Sequence, residues 1–253
     1  MPLDTRILPL PGTEPFVVRE LLSSTPRHLR QGGPRPNPFL PWDRPLQVEL
    51  LEPAHVLLLN KYPVQEAHLL LITRDWRPQG GWIEASDWRA VADVGRDTGG
   101  LWFFNSGARS GASQPHRHLQ LLPRRPGEPS CPLAPLFLEQ LETGVAAWSW
   151  AYRLSRRSDP MGGSDLADLY LAHARDLGLG DPGHDGAPLH PYNLLFDDDW
   201  FLTVRRVREH GAGFSVNALG FAGCLLITEG SDRGWLERHG PWALLQAVAA
   251  PRA

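Results

Sequence analysis

Residues 105–120 constrain this chain more than any other stretch. They read Asn-Ser-Gly-Ala-Arg-Ser-Gly-Ala-Ser-Gln-Pro-His-Arg-His-Leu-Gln. The apolar run Leu101-Trp-Phe-Phe104 precedes them and Leu121-Leu-Pro123 follows. The pattern predicts strand, tight loop, strand, with Gly107 and Gly111 allowing the sharp turn. Side chains alternate across a strand. His116, His118 and Gln120 therefore share one face, and Arg117 and Leu119 point to the other.

The remainder predicts a mixed architecture. Residues 1–45 form a proline-rich N-terminal arm, with a short helix near Pro15 to Ser24 and an extended run from Pro34 to Pro45. A core over 46–160 begins with strand-like runs at 47–51, 55–60 and 68–73. Asn60 and Lys61 end the second of these, a good place for a ligand contact. A helix is expected over 87–98 with Ser86 as its cap, a second over 132–142, and a strand at 148–154. The C-terminal segment, 161–253, offers a helix over 165–177 and a hairpin of 191–196 and 200–204 around Asp197 to Asp199. Residues 225–227 are expected as one more strand or the start of a helix, and a terminal helix from Pro241 to Val248 follows. Hairpins mixed with helices, without strict β-α alternation, indicate an α+β fold.

Composition excludes several classes. The chain has 253 residues, 42% hydrophobic and 21% charged, as a soluble globular protein does. A net charge of -3 gives no basic field for nucleic acid. No run approaches the roughly 18 apolar residues of a membrane span. Cys131 and Cys224 provide no disulfide framework, so a reduced, cytoplasmic setting is expected.

The chemistry of the central face suits phosphoryl or nucleotidyl transfer. A neutral imidazole, with an ordinary pKa of about 6.5, is a good nucleophile towards phosphorus. The loop from Ser106 to Gln114 can offer N–H groups and hydroxyls to phosphate oxygens. The Gln120 amide can donate to a non-bridging oxygen but cannot deprotonate water, which favours transfer to phosphate over hydrolysis. Two other readings stay open for the bare motif. His-x-His on a strand also occurs as a zinc pair, though no nearby carboxylate or cysteine pair completes such a site. Two buried structural histidines are the other.

The stretch resembles the active-site segment of diadenosine tetraphosphate phosphorylases, or ATP adenylyltransferases, in the histidine-triad superfamily. That superfamily's hydrolases carry a third alternating histidine where the adenylyltransferases and galactose-1-phosphate uridylyltransferases carry glutamine. The resemblance extends to Asn60-Lys-Tyr-Pro-Val64 with His68-Leu-Leu-Leu-Ile-Thr73, and to Pro191-Tyr-Asn-Leu-Leu195. It implies a histidine-triad-like antiparallel sheet with flanking helices, completed by the C-terminal segment. His118 would be the nucleophile that takes AMP, His116 would orient it, and Gln120 would contact the α-phosphate. Gly111, Ala112, Ser113 and Gln114 would line the polyphosphate, together with Ser106. Asn105 and Lys61 would bind nucleotide, and Asn193 would contribute from the C-terminal segment. Arg206 stands where the family has a Pro-Arg-Ser-like end and is the equivalent phosphate-facing candidate. Implied partners are a dinucleoside polyphosphate, ATP, ADP, AMP and inorganic phosphate. No cofactor is required, although Mg²⁺ could accompany the polyphosphate. The rival functions are a nucleotide-sugar uridylyltransferase, a dinucleotide polyphosphate hydrolase and a non-catalytic nucleotide sensor.

Overall fold

The computed structural model describes residues 3–23, 37–63, 65–124, 127–158 and 164–252. The expected extended run from Pro34 lies partly outside these residues. In chain order the elements are β1 (Thr5–Ile7), β2 (Val17–Leu21), β3 (Gln47–Leu51), β4 (His55–Leu59), β5 (Leu69–Thr73), α1 (Ala85–Asp97), β6 (Gly100–Asn105) and β7 (His118–Pro123). They continue with α2 (Ala134–Thr143), β8 (Tyr152–Arg156), α3 (Ser164–Asp176), β9 (Tyr192–Phe196) and β10 (Trp200–Arg205). The last are β11 (His210–Gly211), β12 (Phe214–Ser215), α4 (Ala218–Phe221), β13 (Cys224–Ile227) and α5 (Arg233–Val248).

Eight strands form one antiparallel sheet in the order β3-β4-β5-β7-β6-β9-β10-β8. Helices cover it on both sides. On one face α1 and α3 bury Trp88, Val91, Val94, Leu166 and Tyr170 against Trp102, Phe104, Leu119, Leu121, Phe196 and Phe201. The 3–4 spacing of Trp88, Val91 and Val94 makes that stripe. On the other face α2, α4 and α5 pack Phe137, Phe221 and Leu244 against Phe103, Leu195, Leu202 and Val204. A separate cluster on that side joins Phe39 from the arm to Val56, Leu58, Leu70 and Ile72.

Register explains the gap between those two clusters. Cross-strand partners share a face. One row across the sheet runs Leu58, Leu70, Gln120, Phe103, Leu195, Leu202 and Leu154. The adjacent row holds Val56, Ile72 and His118 on one side and Asn105, Asn193, Val204 and Tyr152 on the other. Four polar side chains thus sit mid-sheet in otherwise apolar rows. Burying polar groups there costs free energy unless each is hydrogen-bonded.

Several local expectations are corrected. Residues 17–21 form a strand and not the expected helix: Val17 and Val18 suit a pleated surface, and β2 pairs antiparallel with β1 and parallel with β13. Helix α1 is capped by Glu84 in a capping box with Asp87, not by Ser86. The strand expected from Trp148 begins at Tyr152; Trp150 makes only an isolated antiparallel bridge to Pro251, and its ring stacks on Trp148 at 5.0 Å. The terminal helix opens at Pro241 and runs through Val248 as expected; what the sequence did not show is the helical segment from Arg233 that precedes it, separated from it by non-helical backbone at Gly240. The hairpin turn at 197–199 is held by Asp197, whose carboxylate accepts the N–H groups of Asp199 and Trp200. Among the described residues no helix is long and apolar enough to cross a membrane.

Candidate active site

The site lies where β6 and β7 separate. Their ladder pairs Phe103 with Gln120 and goes no further. Beyond it, the Gln79 side chain fills the opening. Its amide N–H donates to the carbonyls of Asn105 at 2.8 Å and His118 at 3.1 Å, and its oxygen accepts the His118 N–H at 2.8 Å. One buried amide thereby replaces the missing rung and fixes the His118 backbone.

The His118 tautomer follows from the partner of its Nδ1. Nδ1 lies 2.8 Å from the His116 carbonyl oxygen. A carbonyl only accepts, so Nδ1 carries the proton and the lone pair stays on Nε2. His118 is 3% exposed. Burial pushes its pKa down to about 4, only partly offset by the carbonyl bond, with His116 and Arg117 lowering it further. The imidazole is neutral at physiological pH.

His116 is engaged at both nitrogens. Nε2–H donates to the Thr73 carbonyl at 2.8 Å, with the Thr73 hydroxyl at 3.0 Å. Nδ1 accepts from the Asn37 amide at 3.0 Å. Phe39, two residues along the arm, lies against both rings, with centroids 5.6 Å from His116 and 5.5 Å from His118. With both nitrogens of His116 occupied, the pair cannot close on one metal ion in this arrangement. Between the histidines, Arg117 turns to the other face and pairs with Asp87 at 2.7 Å, both fully buried. Asp87 also meets His55 at 2.8 Å. Burial alone would raise the Asp87 pKa, but the His55 bond and Arg117 outweigh it and hold the carboxyl low.

The loop is a built turn. Residues 108–110 make one turn of 3-10 helix. The N–H groups of Gly111 and Ala112 close onto the carbonyls of Ala108 and Gly107, each at 3.0 Å. Of the loop N–H groups expected to be offered to phosphate, those of Gly111 and Ala112 are thus spent inside the turn. Ser106 receives the Tyr192 N–H at 2.8 Å and faces Ser110 at 3.3 Å, tying the loop to β9. Gln114 stays close by, buried, its side-chain oxygen having no hydrogen-bond partner among the described residues. Gly111 has a packing role as well. Its φ is +87°, and a Cβ there would lie 2.7 Å from Asn217 Cβ and 2.9 Å from the Val216 carbonyl. Gly111→Ala is expected to cost about 2 kcal/mol or more in urea unfolding; an unchanged midpoint would contradict this close approach.

Asn105 and Asn193 meet across β6 and β9. Asn193 Nδ2 donates to Asn105 Oδ1 at 2.8 Å and to the Ser110 carbonyl at 2.9 Å. Asn105 Oδ1 also accepts the Ala218 N–H at 2.8 Å. With its oxygen doubly occupied, Asn105 has its amide N–H groups left to donate. Asn193 is held in turn by Arg206, which hydrogen-bonds its side-chain oxygen. Arg206 is 1% exposed. Its other donors go to the carbonyls of Val248, Arg208 and Val216 at 3.1, 2.8 and 2.8 Å. Burial lowers its pKa to about 9. The expectation that Arg206 faces a phosphate is therefore corrected: four of its five N–H groups are spent inside the protein, and it acts on the site through Asn193. Lys61 is also apart from the buried cluster. It is half exposed and pairs with Asp43 at 3.2 Å.

Sequence reasoning missed Gln79, Thr73, Asn37 and the site role of His68. A lone glutamine between Pro78 and Gly80 carries no periodic signal. His68 was visible only as the start of a strand. In the fold its ring reaches Gln120 on the neighbouring strand, with Nε2 3.0 Å from the amide oxygen.

Three buried histidines set the pH response. His68, His118 and His173 each have a pKa lowered to about 4 by burial. Between pH 6.5 and 4 the unfolded chain binds protons that the folded chain refuses. Stability is therefore full above 6.5 and falls as pH drops towards 4, by several kcal/mol in total on the order of one pKa unit per 1.4 kcal/mol. Urea midpoints at pH 7 and 4.5 check this; equal midpoints would contradict it.

Two family models match the chain in tandem. That of the Ap4A phosphorylase N-terminal domain covers residues 16–139, and that of the ATP adenylyltransferase C-terminal domain covers 144–251. Diadenosine 5',5'''-P1,P4-tetraphosphate phosphorylase 2 of Saccharomyces cerevisiae is 36% identical over 211 residues, 72% of this chain and 63% of that protein. The chain thus spans less than two thirds of that relative's length. The crystal structure of yeast Ap4A phosphorylase Apa2 matches with a TM-score of 0.72 at 22% identity, over 99% of this chain and 91% of that one. Apa2 in complex with Ap4A matches with a TM-score of 0.70. At such identity the likeness speaks for the fold. On the two domain models, which meet end to end across nearly the whole chain, this protein belongs to the family of Ap4A phosphorylases and ATP adenylyltransferases.

Proposed function

We propose that this protein is a nucleotidyltransferase that splits diadenosine tetraphosphate by phosphorolysis, giving ATP and ADP. The observation that carries the reading is the fixed tautomer of His118, a buried neutral imidazole with its lone pair on Nε2. Nε2 attacks the α-phosphorus, an N–P bond forms, the bond from phosphorus to the β-bridging oxygen breaks, and ATP leaves. The positive charge that develops on the ring is stabilised by the Nδ1–H bond to the His116 carbonyl. An oxygen of inorganic phosphate then attacks the same phosphorus, breaks the N–P bond and departs as ADP. The ring returns to neutral.

The other residues take roles around that centre. Gln120 donates its amide to a non-bridging oxygen of the transferred group, and it has no basic lone pair with which to activate water. Asn105 donates its amide N–H to the nucleotide. Gln114, whose buried oxygen has no partner among the described residues, accepts a ribose hydroxyl. Ser106 and Ser113 flank the polyphosphate, and Lys61, at the solvent edge, meets its distal end by exchanging Asp43 for phosphate. Residues 46–160 carry the nucleophile and 161–253 supply Asn193 and Arg206. Two free cysteines, Cys131 buried in the core and Cys224 partly buried, suit the reducing cytoplasm.

The test is product analysis with diadenosine tetraphosphate and labelled phosphate. Label is expected in ADP, with ATP as the co-product and no turnover without phosphate. Phosphate-independent release of two ADP would instead identify a hydrolase, and UMP transfer from a sugar nucleotide a uridylyltransferase. Tight AMP binding without turnover would identify a sensor.

A further inference from the structure

We propose that His68 and Asn60 are positioning residues that set which end of the Gln120 amide faces the transferred phosphoryl group. This rests on the reading above, in which Gln120 donates to a phosphoryl oxygen.

An amide side chain can present either a donor or an acceptor to a ligand. Towards an anionic oxygen, only the NH₂ end is favourable. Something must hold the oxygen end away, and here a hydrogen-bonded chain does so. Asn60 Oδ1 accepts the Tyr62 N–H at 2.9 Å, so the Asn60 oxygen is fixed in a local turn and its NH₂ points elsewhere. That NH₂ lies 3.1 Å from His68 Nδ1 and donates to it. A ring nitrogen that accepts carries no proton, so the neutral His68 has its proton on Nε2. Nε2 lies 3.0 Å from Gln120 Oε1 and donates to it. Gln120 is then left with its NH₂ free to face the site beside His118, two positions away on the same strand face.

The polarity of the chain is thus one-directional, from the Tyr62 backbone through Asn60 and His68 to Gln120. Each partner also has a fixed frame. The Asn60 N–H donates to the His68 carbonyl at 2.8 Å, and His68 packs on Phe103 with ring centroids 5.7 Å apart. Gln120 and Leu70 pair across β7 and β5, which brings the strand carrying His68 alongside. A protonated His68 would give up Nδ1 as an acceptor and lose Asn60; burial opposes that protonation. Transfer chemistry gains from a donor that needs no reorientation when charge develops on the phosphoryl oxygen.

A double-mutant cycle on formation of the adenylylated enzyme tests the inference. Single-turnover rates are measured for His68→Ala, Gln120→Ala and the double variant, with thermal unfolding followed in parallel. His68→Ala is expected to slow the step about 10-fold or more with little change in KM, following the usual effect of outer-shell partners. The double variant should be no slower than Gln120→Ala alone. His68→Gln, whose amide nitrogen reaches where Nε2 stood, should recover most of the rate. Nitrogen NMR of the folded wild type should show His68 as the neutral Nε2–H form at pH 6. Multiplying effects in the double variant, or an Nδ1–H form of His68, overturn the inference while leaving Gln120's role intact. A full rate in Gln120→Ala overturns both.

Discussion

His118→Ala is expected to remove turnover by a factor of about 10³ or more, while the protein still folds. The magnitude follows from the absence of a substitute. His116, the nearest imidazole in sequence, has both nitrogens engaged, by Thr73 and by Asn37. His68 has Nδ1 engaged by Asn60 and its proton directed at Gln120. Neither has a lone pair free to attack phosphorus. Folding should survive because the backbone at 118 is held by Gln79 and by pairing with Ile72, neither of which needs the imidazole. The lost ring leaves one carbonyl without its donor and a small cavity, a cost of about 1–3 kcal/mol. Steady-state kinetics check the first number and urea unfolding the second. Activity within tenfold of the wild type would exclude His118 as the nucleophile.

Arg206→Ala is expected to cost about 3–5 kcal/mol of stability, a large share of the 5–15 kcal/mol typical of a folded domain. The guanidinium is buried over the Phe221 ring at 5.2 Å. It joins three parts of the chain: Asn193 in β9, Val248 at the end of α5, and the segment that holds Arg208 and Val216. Truncation takes the donor from the buried Asn193 side-chain oxygen and the Val216 carbonyl, and removes one donor from the carbonyls of Arg208 and Val248, the latter keeping the Val207 N–H. The loss also frees Asn193, and with it the brace on Asn105 and the loop carbonyl of Ser110. Arg206→Lys should recover little, because an ammonium cannot reproduce the planar fork. A drop of less than about 1 kcal/mol for Arg206→Ala would contradict this bracing role.

Much of this site can be read from the chain, because its central element obeys a short-range rule. Alternation on one strand puts His116, His118 and Gln120 on a common face, and two glycines mark the turn before them. Family resemblance adds Asn193 from a distant segment. What the sequence conceals depends on topology. Gln79 matters only because β6 and β7 separate at its level, and His68 only because β5 lies next to β7. The misassignment of 17–21 has a similar origin, since β2 pairs not only with β1 but also with β13, more than two hundred residues away in the chain. Arg206 looked like a phosphate ligand because it stands where the resembled family has a Pro-Arg-Ser-like end. Its burial among carbonyls is a property of how α5 returns across the sheet. The loop amides of Gly111 and Ala112 were similarly misjudged, because a Gly/Ser-rich run does not say which of its N–H groups close its own turn.

The most direct measurement is the intact mass of the protein after mixing with diadenosine tetraphosphate in the absence of phosphate. The predicted result is an increase of one adenylyl group, released as ADP when phosphate is added and absent in His118→Ala. Consumption of the substrate without any covalent increment, or the same increment on His118→Ala, would contradict a transfer that passes through this histidine.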